Sequence, residues 1–284
     1  MSLPDLAGEF ELDPGLPTAF RRDGHVVVRG LASQEEVAAF RPALVEAGDR
    51  GRVDRRPFEE RGTYGQAFIQ MFNLWRHREE ARAFVFARRF AKVAAELLGV
   101  EAVRLYHDQA LFKEPGGGFT PWHQDQFYWP LDTDQTITLW MPLVDVEEAM
   151  GPMTFASGSH RLGFLGDFPI GDESQRAFDR LVDEKGLTRS RGGAFAAGDA
   201  SFHTGWTLHS APGNATDRMR EVMTIIYFPD GTRVGALDHP NRRLDRDVWL
   251  PGCEPGELAA SKLNPVLFRS AHEPRGPRGR AKPS

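Results

Sequence analysis

Two side chains separated by a single residue, His123 and Asp125 in the stretch Trp122-His123-Gln124-Asp125, have the types and spacing to hold a metal ion. On an extended segment residues two apart face the same side, so the imidazole and the carboxylate can fill two corners of one site. His209, in Trp206-Thr207-Leu208-His209-Ser210-Ala211, is placed to supply a third ligand from a later strand. Two histidines and one carboxylate leave one face of the metal open, which suits ferrous iron and oxygen chemistry. His203 is a rival third ligand, because six residues separate it from His209 and an unbroken strand would turn both the same way; Gly205 between them argues against an unbroken strand. Downstream, Arg220 can grip the far carboxylate of a chelating cosubstrate with a bidentate pair, and spacing leaves Arg218, with the same facing, equally open.

These residues need strands to carry them. From Ala102 the pattern is of short apolar or alternating runs: Val103–Tyr106, Ala110–Phe112, Thr136–Leu143, Met153–Phe155, Ser201–His203 and Val222–Phe228, with Gly and Pro between them. That pattern predicts an α+β chain, mainly β, with a double-stranded β-helix (the jelly-roll core of the cupins) at about 102–230. The part before it, 1–101, reads as mainly helical and packed on one face of that core. It holds a short strand His25–Val28, then a helix to about Ala47 with Ser33 as cap and Glu36 answering it. A second helix is expected from about Glu79 to Leu98, ended by Gly99. Two segments interrupt the pattern. Arg50 to Gln66 is rich in arginine and glycine, and an insertion at about 162–193, with a short helix from Asp172 to Glu184, is expected to form a lid. The stretch 273–284 reads as a disordered tail.

The 284 residues contain 40% hydrophobic and 26% charged residues with no Ser/Gly linker, as expected of a single domain with a sizeable core. A net charge of -5 gives no electrostatic reason to expect nucleic acid as a partner, and no stretch approaches the length of a membrane span. One cysteine, Cys253, excludes an internal disulfide and a thiolate-rich zinc site; with no signal peptide visible, a cytoplasmic location is expected. The expected partner is a small-molecule substrate, and oligomeric state has no signature in the sequence.

The ordered motifs H-Q-D after Gly116-Gly117-Gly118, then G-D-x-x-F-H at Gly198 to His203, then H-S-x-x-x-N at His209 to Asn214 and an arginine, resemble the phytanoyl-CoA dioxygenase family. The resemblance covers roughly Ala102 to Asp230. It implies an iron(II)- and 2-oxoglutarate-dependent dioxygenase that consumes O2, releases succinate and CO2 and hydroxylates a small metabolite. His123, Asp125 and His209 are then the metal ligands, and Arg220 holds the distal carboxylate of 2-oxoglutarate. Gln109 and Lys113, four apart on one strand face, become candidates for cosubstrate or substrate contacts, and Trp140 matches an aromatic position lining the cosubstrate pocket. Ala211 departs from the pattern, standing where some relatives have a hydroxyl residue. Asp125 argues for an oxygenase, since related halogenases lack the carboxylate ligand. Two alternatives share the same residues: a cupin-type metal enzyme that does not use 2-oxoglutarate, and a jelly-roll ligand-binding protein with a vestigial site. Phe127, Tyr128, Trp129 and Trp206 are candidates for an aromatic substrate wall, and Arg50, Arg52, Arg55, Arg56 and Arg61 for an anion contact.

Overall fold

The computed structural model describes residues 3–51 and 54–271, so the expected tail at 273–284 lies outside the described residues. In chain order the elements are α1 (Leu16–Asp23), β1 (His25–Val28), α2 (Gln34–Gly51), α3 (Thr63–Ala67), β2 (Ile69–Phe72), α4 (Glu79–Val85) and α5 (Arg88–Leu98). They are followed by β3 (Ala102–Phe112), β4 (Thr120–His123), β5 (Ile137–Pro142), β6 (Thr154–Ala156), α6 (Asp172–Glu184) and β7 (Arg189–Arg191). The last are β8 (Ala200–Thr204), β9 (His209–Ala211), β10 (Val222–Pro229), α7 (Pro240–Trp249) and β11 (Val266–Arg269).

Two antiparallel sheets face each other. The larger runs β1-β8-β5-β10-β3-β11 with β2 also paired to β3, and the smaller runs β4-β9-β6-β7. Period-two alternation divides each central strand of the larger sheet between a helix-covered outer face and the space between the sheets. Ile137, Leu139 and Met141 of β5, Phe202 of β8, and Met223 and Ile225 of β10 join Phe40, Phe84 and Phe90 from the helices in the main core. Thr138, Trp140, His203 and Thr224 face the opposite way, into the interior. Each large side chain so buried contributes about 1.5–3 kcal/mol, which makes the helix layer a structural support rather than an ornament. On the outside of the smaller sheet, Phe178 and Val182 of α6 cover Trp122, Ala156 and Leu208.

β3 is irregular. Against β10, Ile225 pairs with Asp108 and Tyr227 with Leu105, so β3 carries one residue more than its partner in this interval. The bulge reverses the facing of the strand: Val103 and Leu105 before it, and Ala110 and Phe112 after it, all reach the same outer core, while His107, Gln109 and Leu111 line the interior.

Ser33 and Glu36 form the expected capping box, with Ser33 Oγ accepting from the Glu36 amide at 3.1 Å and Glu36 Oε2 accepting from the Ser33 amide at 2.8 Å. Gly99 ends α5 in the left-handed region. The single helix expected over Glu79–Leu98 is two, α4 and α5, broken at Phe86-Ala87. In one straight helix Phe84 and Phe90, six residues apart, would point to different sides; the break lets both bury fully, edge to face at 5.4 Å. The chain also turns from β8 into β9 at Gly205, so His203 and His209 enter from different sheets. A side chain at Gly205 would meet Thr136 Oγ1 at 2.3 Å and Gln126 Oε1 at 2.6 Å, so only glycine fits there.

Candidate active site

His123 ends β4, His209 begins β9, and the two are cross-strand partners with ring centroids 4.1 Å apart. Just past β4 the chain winds into a 3-10 turn, Asp125–Phe127, that swings Asp125 back beside the imidazoles. Each ring is oriented by its own backbone: His123 Nδ1 lies 2.8 Å from Pro121 O, and His209 Nδ1 2.8 Å from Thr207 O. With Nδ1–H donating to these carbonyls, both Nε2 lone pairs are free, and they face Asp125 Oδ1 at 3.5 and 3.7 Å. One ligand atom from each of the three residues lies within 4.8 Å of the others, the convergence that one metal ion requires.

His203 belongs to the same cluster by another contact. Its Nε2 is 3.3 Å from Asp125 Oδ2, and Thr138 Oγ1 donates to the same oxygen at 3.2 Å. The carboxylate therefore has one oxygen toward the two imidazoles and one held from behind. Burial raises the Asp125 carboxyl, but His209, His123 and His203 outweigh it and hold the group well below the usual carboxylate range. Burial, reinforced by His123 and His203, lowers His209 well below the usual imidazole value. Both shifts favour the metal-binding forms, carboxylate and neutral imidazole.

The trio opens on a cavity of about 460 Å³ between the sheets. At its inner end lies Arg220, 1% exposed, whose guanidinium sits 5.6 Å from the Trp140 ring centroid. One of its amino groups donates to Gly151 O, while Nε is buried without a partner, and no carboxylate lies within ion-pair distance among the described residues. Burial pushes Arg220 down to about 9, so it stays protonated at neutral pH. A buried, unpaired guanidinium facing a cavity is a costly arrangement that an incoming carboxylate would relieve. Arg218, which spacing could not separate from it, points outward and pairs with Glu147 at 2.8 Å, both side chains exposed.

Gln109 lines the cavity and accepts a hydrogen bond from Gln70 at 2.7 Å. Trp140 also lines it, as does Ala211, which brings no hydroxyl. Lys113 does not line the cavity. Its Nζ donates to Gly118 O and to Pro212 O, and burial, with the Arg220 charge alongside, pushes it down to about 6. The sequence puts Gln109 and Lys113 on one face, but the glycine-rich turn folds back over the lysine and takes its amino group.

Tyr128 and Trp129 line the cavity; Phe127 stacks on Phe164 outside it, and Trp206 donates to Asp134 at 2.7 Å. Arg50 and Arg52 lie outside what is described of side chains. Arg56 pairs with Asp54, and Arg61 is buried against Glu114, so neither offers an anion a free guanidinium. From the insertion, Pro169 and Ile170 reach the cavity, with the Ile170 amide donating to the Tyr128 hydroxyl at 3.0 Å. The remaining outer wall is unanticipated: Tyr64 and Phe68 near α3, Phe72 of β2, and Asn241, Asp245 and Trp249 along one side of α7. Pro240 at the first turn and this i, i+4 series are a readable helix signal, though nothing in it marks a wall of this cavity.

A jelly roll with two imidazoles and a carboxylate at one end of an enclosed cavity and a buried cation beyond them has the makings of a non-haem iron oxygenase. The family model for phytanoyl-CoA dioxygenase (PhyH) matches residues 20–222. The chain belongs to this family, and it is an iron(II)- and 2-oxoglutarate-dependent dioxygenase. Among its relatives is the ectoine dioxygenase of Stutzerimonas stutzeri (strain A1501), 26% identical over 260 residues, covering 83% of this chain and 78% of that one. Another is the probable alpha-ketoglutarate-dependent hypophosphite dioxygenase of Stutzerimonas stutzeri, 29% identical over 208 residues, covering 69% and 72%. The crystal structure of the epimerase SnoN in complex with Fe3+, alpha ketoglutarate and nogalamycin RO superimposes with a TM-score of 0.72 at 27% identity, covering 89% of this chain and 97% of that one.

Proposed function

We propose that His123, Asp125 and His209 hold the iron, that Arg220 binds the distal carboxylate of 2-oxoglutarate, and that a small-molecule metabolite is hydroxylated beside the metal. The observation that carries this reading is the convergence of three ligand atoms next to a cavity whose inner end holds an unpaired buried guanidinium. Iron with 2-oxoglutarate and O2 supplies the oxidant, so that substrate, 2-oxoglutarate and O2 become hydroxylated substrate, succinate and CO2.

The protein's own groups have separate tasks. Pro121 O and Thr207 O fix which imidazole nitrogen is free, and His203 with Thr138 fixes the Asp125 carboxylate. Arg220 is held by the Gly151 carbonyl and the Trp140 face, so a carboxylate meets a guanidinium already oriented. Gln109 and Trp140 contact the cosubstrate along its length, and Lys113 acts from behind, tying the glycine-rich turn to the segment after β9. Aromatic walls around the open side exclude water from the reacting atoms.

The test is direct. Purified protein given Fe(II), 2-oxoglutarate and O2 should form succinate, faster when the right metabolite is added, with a product heavier by one oxygen; no 2-oxoglutarate-dependent succinate under any condition overturns the reading. Among the described residues no helix is long and apolar enough to cross a membrane. We place the enzyme in the cytoplasm on its cysteine usage, which fractionation of the source cells checks.

A further inference from the structure

The outer end of the cavity carries a carboxylate that the reaction does not use. Asp245, on the cavity side of α7, accepts a hydrogen bond from the Tyr106 hydroxyl at 3.0 Å, and no other partner is found for its carboxylate among the described residues. Its neighbours on the helix are engaged elsewhere: Arg242 pairs with Asp238, and Arg246 with Asp247 and Glu254. Burial pushes Asp245 up to about 7 against the Tyr106 hydrogen bond, as expected of a carboxylate screened from solvent and without a counter-charge beside it.

A cluster of rings begins one helical turn on, at Trp249, and reaches back to His107 beside Tyr106. His107, Phe72 and Trp249 form a cluster, with centroids 4.7 Å apart for His107 and Trp249, 5.0 Å for Phe72 and Trp249, and 5.5 Å for Phe72 and His107. All three line the cavity, as does Tyr128, whose hydroxyl is raised by burial and by the charges of both Asp125 and Asp245. Tyr128, Asp125 and Asp245 line the same cavity, so a substrate with its reacting carbon near the iron can extend past the tyrosine to the second carboxylate. Burial holds His107 near 3, so its ring is a neutral wall that adds no competing cation. The other charged groups lining the cavity belong to the metal and cosubstrate end.

We infer that the substrate carries a cationic nitrogen, an ammonium or amidinium, which binds Asp245 against the faces of Trp249, Phe72 and His107. A cation satisfies the carboxylate and is attracted by the negative faces of the aromatic rings, whereas an anion would add a like charge in a poorly hydrated site. This inference rests on the proposed function for the position of the reacting end.

Size-matched probes decide it: phenethylammonium, phenethyl alcohol and 3-phenylpropionate, titrated calorimetrically into anaerobic protein loaded with Fe(II) and 2-oxoglutarate. The ammonium should bind at least about tenfold more tightly than the alcohol, and 3-phenylpropionate most weakly. Asp245→Asn should bring the ammonium to the level of the alcohol, and alcohol binding by the variant reports that its site is intact. An ammonium no tighter than the alcohol in the unsubstituted protein, or a preference that survives in the Asn variant, overturns the inference. The two readings fail separately, because failure of the protein to take up 2-oxoglutarate in the loading step, followed by its own titration, strikes the proposed function, while the cationic preference is read from the three probes alone.

Discussion

At the inner end of the cavity the functional side chains come from strands within the two sheets or from the first residues beyond them. His209 sits on a strand paired on both sides, and Trp140 and Thr224 sit on adjacent central strands. At the outer end the lining comes largely from α3, the insertion and α7, and no residue of α7 is fully buried; Leu244 is 61% exposed and Val248 41%. The groups proposed to hold iron and cosubstrate are thus fixed by ladder hydrogen bonds and core packing, and the proposed substrate wall by a helix that can change sequence at little cost to the fold. In such a division the inner end is held rigidly, and the outer wall can vary without unsettling it.

The strongest test of the inner end is Asp125→Ala, which should lower iron occupancy and 2-oxoglutarate turnover by at least about a hundredfold, read by metal analysis and succinate assay. Full iron occupancy in that variant would break the comparison. Next, Arg220→Ala should weaken 2-oxoglutarate binding by about 1.5–3 kcal/mol while iron stays bound, and Arg218→Ala should leave both unchanged in the same titration. His203→Ala removes a support behind Asp125 Oδ2 and should reduce iron affinity about tenfold, with a smaller effect on 2-oxoglutarate.

Lys113 adds a pH signature. Its folded value is about 6, so between pH 7 and 8.5 the unfolded chain binds a proton that the folded chain does not. Stability should therefore rise with pH at about 1.4 kcal/mol per unit from this group, and Lys113→Met should flatten the rise in denaturant melts. At the outer end, Leu244→Ala should move stability by less than about 0.5 kcal/mol, since the side chain is largely exposed. A large loss there would mean that α7 supports the fold after all.

What could be read from the sequence follows the same boundary. The H-x-D pair, the alternating strands and α6, found at its expected bounds Asp172–Glu184, were legible because each is written in neighbouring residues. The choice between Arg218 and Arg220 was not, since two residues of equal facing are separated only by the loop that precedes β10, where Glu147 claims one of them. His203 was visible as a histidine on the right face, but its part depends on the turn at Gly205, which sends His209 into the other sheet. The break between α4 and α5 follows from two phenylalanines seeking one core, a tertiary demand that a continuous apolar stripe conceals. Asp245 and Trp249 lie more than a hundred residues from the H-x-D pair, and only the folded chain brings them to the same cavity.

The additional residue in β3, between Leu105 and Asp108, gives the strand a sorting role. Were all the residues of this interval to run in a regular pleat, without the bulge, inside and outside would exchange along one half of the strand: Gln109 and Leu111 would point at the helices and Phe112 would enter the cavity. Loss of His107 would instead remove the extra residue and let the same pairs form in a regular ladder, so a single-codon deletion there should cost the strand its bulge and still leave Gln109 facing inward.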